Sequence, residues 1–137
     1  MTDNSLITLA IEAMQNSYSP YSGYKVGAAL LTEDGKVYKG CNIENVAFGP
    51  TVCAERVAFL KALSEGERNF TKIAVVGGKN GEIKGAFPPC GVCRQVMREF
   101  CNDNFEILIV KGNNKYDTVL LKDLLPLSFK PEILDIK

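Results

Sequence analysis

Cys53-Ala54-Glu55 and Pro89-Cys90-Gly91-Val92-Cys93 stand on either side of a long intervening stretch. If their three thiols gather at one point, two distant segments must fold back upon each other. That closure restricts the fold more than any other feature of the chain. Cys90 and Cys93, three positions apart, share one side of a helical turn, and Cys53 opens another predicted helix. Helix N-termini carry positive partial charge, which stabilises thiolate over thiol. Both clusters therefore fall where anionic sulfur is favoured.

Around these points helical and strand patterns alternate. Leu6, Ile7, Ala10, Ile11 and Met14 recur at helical spacing, and Ser19-Pro20 supplies the stop. Residues 26–31 and 37–40 are strand-forming runs flanking Asp34-Gly35, a strong hairpin signal. A second helix is expected from about Cys53 to about Gly66, with Ala54, Val57, Ala58 and Leu60 facing the core and Gly66 suited to the C-terminal cap. Residues 73–77 read as a β-branched buried strand. A third helix follows Pro89 and runs to about Cys101, with Val92, Val96 and Phe100 four apart. Residues 105–110 and 116–121 complete the sheet, and 122–125 form a short terminal helix. This order predicts an α/β fold with helices covering a mixed sheet. The 137 residues suit one domain over 1–137, burying roughly two-thirds of the unfolded surface. No repeat, linker or low-complexity segment interrupts it.

Composition removes several kinds of chemistry. The chain contains no histidine, which excludes Ser-His and Cys-His nucleophile pairs, imidazole acid-base catalysis and imidazole-ligated metals. Sixteen basic and sixteen acidic residues balance, and the basic ones are scattered. Nucleic acid is thus disfavoured as a partner, because polynucleotide binding leaves a basic footprint. Met1-Thr2-Asp3-Asn4-Ser5 lacks a basic region before an apolar run. No stretch approaches the ~18 apolar residues of a membrane span, so the protein is expected to be cytoplasmic and away from membranes. Five cysteines in such a chain point to free thiols or metal ligands rather than disulfides. Cys41 and Cys101, outside the motifs, read as small buried hydrophobes.

What remains is a metal site. Cys53, Cys90 and Cys93 supply three thiolate ligands, and the natural ion for them is zinc, Zn(2+), with a fourth position left for water. Zinc deaminases of cytosine- or adenine-type bases are built this way, with a glutamate that is not a ligand acting on protons. Glu55, two residues from Cys53, suits that role. Three thiolates on a divalent ion leave a net charge of about −1. Arg56 and Arg94 are the candidates to offset it by donating to the sulfurs. A fourth thiolate from Cys41 or Cys101 would instead close the site and make the metal structural.

Asn42-Ile43-Glu44-Asn45, Cys53-Ala54-Glu55-Arg56 and Pro89-Cys90-Gly91-Val92-Cys93-Arg94-Gln95 together resemble the small cytidine deaminases, the nucleoside enzymes of pyrimidine salvage. The likeness runs from Tyr21-Ser22 to Leu124-Leu125-Pro126. The resemblance implies a three-layer α-β-α fold around a five-stranded mixed sheet and a homotetramer with shared active sites. It implies that cytidine and 2′-deoxycytidine are hydrolysed to the uracil nucleosides and ammonia, with Glu55 shuttling protons to N3 and to the departing amino group. Asn42 and Glu44 would bind the ribose hydroxyls, the Ala54 N–H the C2 carbonyl, and the Pro88 carbonyl the leaving amine. Two positions apart at a strand end, Asn42 and Glu44 are expected on one face. The Glu44 charge there would repel a 3′-phosphate. Tyr24 would pack against the substrate, and Phe129 would stack on the base in a neighbouring subunit.

The chain departs from the family pattern at three of these places. Pro88 stands where Ser or Thr is usual, Tyr24 where Phe is usual, and Phe48 where Tyr is common. Two other readings use the same residues. One is a zinc-stabilised module without turnover; the other is an aminohydrolase of a different aminated heterocycle, such as a nucleoside antibiotic like blasticidin S.

Overall fold

Residues 1–136 are described by a computed structural model of the chain. The first helix, α1 (Asp3–Met14), begins where the Thr2 hydroxyl accepts from the Ser5 N–H at 3.1 Å, with Asp3 in its first turn. Its buried face, Leu6, Ile7, Ala10 and Met14, packs on Ala29, Leu31, Ala74, Val76, Leu108 and Val110. The helix lies very close to the sheet: a Cβ on Gly27 would sit 2.1 Å from the Ala10 carbonyl oxygen. Only glycine permits that approach.

The sheet is built from β1 (Tyr24–Thr32), β2 (Val37–Cys41), β3 (Phe70–Lys79), β4 (Glu106–Gly112) and β5 (Lys115–Leu120), in the order β2-β1-β3-β4-β5. The hairpin at Asp34-Gly35 forms as expected, with Gly35 at φ +88°. β1 pairs antiparallel with both neighbours, β3 pairs parallel with β4, and β5 closes the sheet antiparallel. The central strands are buried on both faces and read as continuous apolar runs.

On the face opposite α1 lie α2 (Ala54–Ser64), α3 (Gly91–Phe100) and the short α4 (Leu121–Leu124). Ala54, Ala58, Phe59, Ala62, Met97 and Leu121 meet Ala28, Leu30, Ile73, Val75, Ile107 and Ile109 in a second core. The result is a three-layer α-β-α fold around a mixed five-stranded sheet, the architecture the sequence implied. A final 3₁₀ turn, Pro131–Leu134, was not anticipated.

One expectation about a helix face fails: Leu60 is 57 % exposed, not a core residue. Val92, spaced with Val96 and Phe100, is also exposed, at 58 %. α2 instead buries Ala54, Ala58, Phe59 and Ala62, and Gly40 of β2 comes directly beneath its first turn: a Cβ there would meet the Ala54 carbonyl oxygen at 2.4 Å and the Ala58 nitrogen at 2.6 Å. α3 is turned by Cys93, which goes inward with Met97 and Arg98 and leaves Val92 outside. Cys41 and Cys101 are half-buried rather than fully buried. Burial raises both thiols, Cys101 to about 12.

Candidate active site

Cys53 is the N-cap of α2 and Cys90 the N-cap of α3, yet neither side chain caps its helix. Their sulfurs turn toward each other instead. The Cys53 and Cys90 Sγ atoms are 3.8 Å apart, Cys90 and Cys93 3.6 Å, and all three lie within 4.8 Å. Tetrahedral zinc with bonds of ~2.3 Å requires sulfurs separated by ~3.8 Å. The donor set and spacing therefore fit zinc, while the distances are far beyond a disulfide bond. Neither Cys41 nor Cys101 joins the group among the described residues. Three protein ligands, not four, is the open arrangement of a catalytic metal.

The charges around the sulfurs are arranged unequally. Cys53 is pulled down to about 5, first by its hydrogen bond with Cys93 and then by Arg56, while Cys93 is pushed up as the partner that keeps its proton. Arg56 Nη2 donates to Cys53 Sγ at 3.4 Å, as expected of a counter-charge, and its own buried Nε has no partner among the described residues. Arg94 does something else. Its Nε donates to the Pro89 carbonyl and its Nη1 to the Leu124 carbonyl, both at 2.8 Å, so it ties the loop before α3 to α4 and leaves the sulfurs alone.

Glu55 is only 4 % exposed. Burial pushes its carboxyl up to about 7. It lines a cleft of about 250 Å³ together with Cys53, Cys90 and Ala54 at one end and Ser22, Asn42 and Glu44 at the other. Tyr24 and Pro88 also line this cleft. The Glu44 carboxylate is held by the backbone N–H groups of Tyr21 (2.9 Å) and Ser22 (3.1 Å) and by the Ser22 hydroxyl (2.5 Å). The Ser22 hydroxyl bond above all keeps it below its ordinary titration range.

Asn42 and Glu44 face the same cleft, but not as simple neighbours on a strand. β2 ends at Cys41, and Ile43 between them makes isolated bridges to Tyr18 and Val52. Asn42 is buried; its Nδ2 donates to the Tyr24 carbonyl at 2.8 Å while its Oδ1 accepts from the Val26 N–H at 2.9 Å and the Ser17 hydroxyl at 2.5 Å. It therefore anchors the start of β1, with one amide hydrogen left for a ligand.

Phe129 does not line this cleft; it is 59 % exposed, and its carbonyl accepts from Gln95 Nε2 at 2.8 Å. Phe48 is also outside, held at φ +60° with its ring edge-on to Tyr21. Ser22, Val26, Thr51, Val52 and Phe87 do line it and were missed. Thr51-Val52 directly precedes Cys53 and Phe87 directly precedes Pro88, so proximity to the motifs was the available signal.

Residues 1–109 match the family model of the cytidine and deoxycytidylate deaminase zinc-binding region. A cytidine deaminase of Sporosarcina psychrophila is 44 % identical across 98 % of this chain and 96 % of its own. A blasticidin-S deaminase of Bacillus cereus is 30 % identical across 93 % of this chain and 91 % of its own. The crystal structure of a Burkholderia pseudomallei cytidine deaminase, 45 % identical, superposes with a TM-score of 0.87 over 94 % of this chain and 100 % of that one. Chain-length similarity in sequence and fold, on top of a three-sulfur site with a buried glutamate, leaves one conclusion: the chain belongs to the cytidine and deoxycytidylate deaminase family.

Proposed function

We propose that the protein is a zinc-dependent cytidine deaminase, hydrolysing cytidine and 2′-deoxycytidine to uridine and 2′-deoxyuridine with release of ammonia. One observation carries this: a buried carboxyl, Glu55, shares a nucleoside-sized cleft with the Cys53, Cys90 and Cys93 cluster. A purely structural zinc would have no use for that carboxyl.

Cys53, Cys90 and Cys93 would hold the ion, which when bound lowers the pKa of a coordinated water to near neutrality. Glu55 moves the protons. Its carboxylate takes one from the attacking water and gives it to N3 of the ring as oxygen adds at C4, then passes the second, taken from the hydroxyl so formed at C4, to the amino group, which departs as ammonia and leaves a C4 carbonyl. Burial, which pushes the Glu55 carboxyl up to about 7, suits it to take a proton near neutral pH. Arg56, donating to Cys53, lowers the charge accumulated on the sulfurs.

The other end of the cleft would bind the sugar. Glu44, already anchored by three donors and ionised, accepts from a ribose hydroxyl, and the free amide hydrogen of Asn42 donates to it. A 3′-phosphate would be repelled by Glu44, which selects against 3′-nucleotides and polynucleotides. The Ala54 N–H takes the C2 carbonyl, the Pro88 carbonyl takes the departing amine, and Tyr24 packs on the substrate.

Pyrimidine salvage in the cytoplasm is the setting this chemistry suits. No disulfide joins the five cysteines among the described residues, as a reducing compartment favours, and no helix among the described residues is long and apolar enough to cross a membrane. A homotetramer with shared active sites is supported by the exposure of Leu127, Phe129, Ile133 and Leu134, an apolar surface at one end of the chain. In that assembly Phe129 would stack on the base bound by a neighbour.

The test is loss of cytosine-band absorbance when cytidine is added to purified protein, with zinc measured on the same sample. Uridine formation at about one zinc per chain is expected. Full zinc occupancy with neither cytidine nor deoxycytidine consumed would overturn the proposal. The 30 % identical blasticidin-S deaminase makes blasticidin S the next substrate to try.

A further inference from the structure

Two hollows lie side by side against the ends of β1 and β3. One is the cleft of about 250 Å³ containing Glu55; the other is a groove of about 450 Å³ formed by residues 77–80 with Glu82, Lys84 and Ala86. They share Tyr24 and Phe87 and no other residue. The two rings are stacked, with centroids 6.0 Å apart and planes 29° from parallel. This aromatic pair is the partition between the hollows.

The backbone is shaped to put Phe87 there. A Cβ on Gly77 would lie 2.9 Å from both Cγ and Cδ1 of the Phe87 ring, and one on Gly78 only 1.8 Å from the Glu82 carbonyl oxygen. The two glycines at the end of β3 let the following segment double back and seat the ring over the strand. Phe87 is half-buried and packs against the apolar core on the α2 side of the sheet.

A pyrimidine bound as proposed above has its C2 carbonyl at Ala54 and its C4 amino group at Pro88. C5 lies directly across the ring from C2 and next to C4, so its edge points away from Ala54; Phe87 lines the cleft and directly precedes Pro88. We propose that Phe87, backed by Tyr24, is the residue that sets how large a substituent at C5 the cleft admits, and that the adjoining groove receives such a substituent when the ring is cut back. The proposal rests on the nucleoside reading of the site. A rigid apolar wall of this kind discriminates by about 10–200-fold for each methylene it must exclude.

Binding tests it without relying on turnover. Calorimetric affinities for uridine and 5-ethyluridine are measured on zinc-loaded wild type, Phe87→Val and Phe87→Leu, with kcat/KM for cytidine and 5-ethylcytidine alongside. Wild type is expected to bind 5-ethyluridine at least about tenfold more weakly than uridine. Phe87→Val should abolish that preference, with Phe87→Leu intermediate and zinc per chain unchanged. Comparing two ligands on one variant cancels any general loosening, and if Phe87→Val does not fold, Phe87→Leu decides by the same criterion. Uridine binding with an unaltered preference in the variants, or equal affinities in wild type, overturns the role of Phe87 and leaves the nucleoside reading standing. If wild type binds neither nucleoside, the nucleoside reading itself falls and takes this proposal with it.

Discussion

Glu55 and Arg56 are adjacent in sequence and do opposite things. Glu55 is shut away from water beside the reacting end of the cleft, so its value lies in the proton it can exchange. Glu55→Gln keeps the shape and removes the exchange; turnover of cytidine should fall by about 10²–10⁴-fold with zinc per chain unchanged. Loss of metal together with activity would instead mean that the carboxyl holds the site together. Arg56 faces the sulfurs, with Nη2 3.4 Å from Cys53 Sγ. In Arg56→Ala the thiolate charge goes uncompensated, and activity or zinc affinity should drop by about 10–100-fold, read from turnover and from the rate of zinc transfer to a chelator. Arg94→Ala should leave that transfer rate near wild type, since its guanidinium donates to the Pro89 and Leu124 carbonyls rather than to the sulfurs.

Helix placement decides whether these side chains meet. α2 rides on β2 through Gly40, where a Cβ would collide with two backbone atoms of the helix. Gly40→Ala should cost about 1–3 kcal/mol, visible as a lower Tm, and should weaken zinc binding because Cys53 starts the displaced helix. On the opposite face α1 is tethered by Asp3, which accepts from Lys72 Nζ at 2.9 Å and from the Tyr116 hydroxyl at 3.1 Å. The Lys72 bond holds the Asp3 carboxyl below its ordinary value. A depressed carboxylate stabilises the fold above its unfolded pKa and ceases to do so as pH falls through the folded one. Asp3→Asn should therefore be less stable than wild type at neutral pH, by about 0.5–1 kcal/mol. The gap should close on acidification below about pH 4; thermal melts at a series of pH values would show it, and a gap independent of pH would rule out the ionic contribution.

At the level of the whole molecule, the exposed apolar end of the chain and the exposed Phe129 belong with the proposed tetramer. Light scattering should give the mass of four chains, and Phe129→Ala should raise KM for cytidine with zinc content unchanged; a monomer with full activity would exclude shared sites. The chemistry of this protein was legible in local sequence because it is carried by residue types: three cysteines, a glutamate beside one of them, and no histidine to compete. The order of helices and strands was legible for the same reason, since periodicity and turn residues act over a few neighbours. Faces and walls were not. Leu60 and Val92 have core-like side chains but lie outside, because Gly40 and Cys93 set the rotation of their helices through contacts distant in sequence. Likewise Phe87 became a wall of the cleft only when Gly77 and Gly78 allowed the chain to double back over β3. The sequence by itself determined which atoms are available to bind metal and move protons. Tertiary structure decided which of them face one another, because close packing depends on backbone approaches that no single segment encodes.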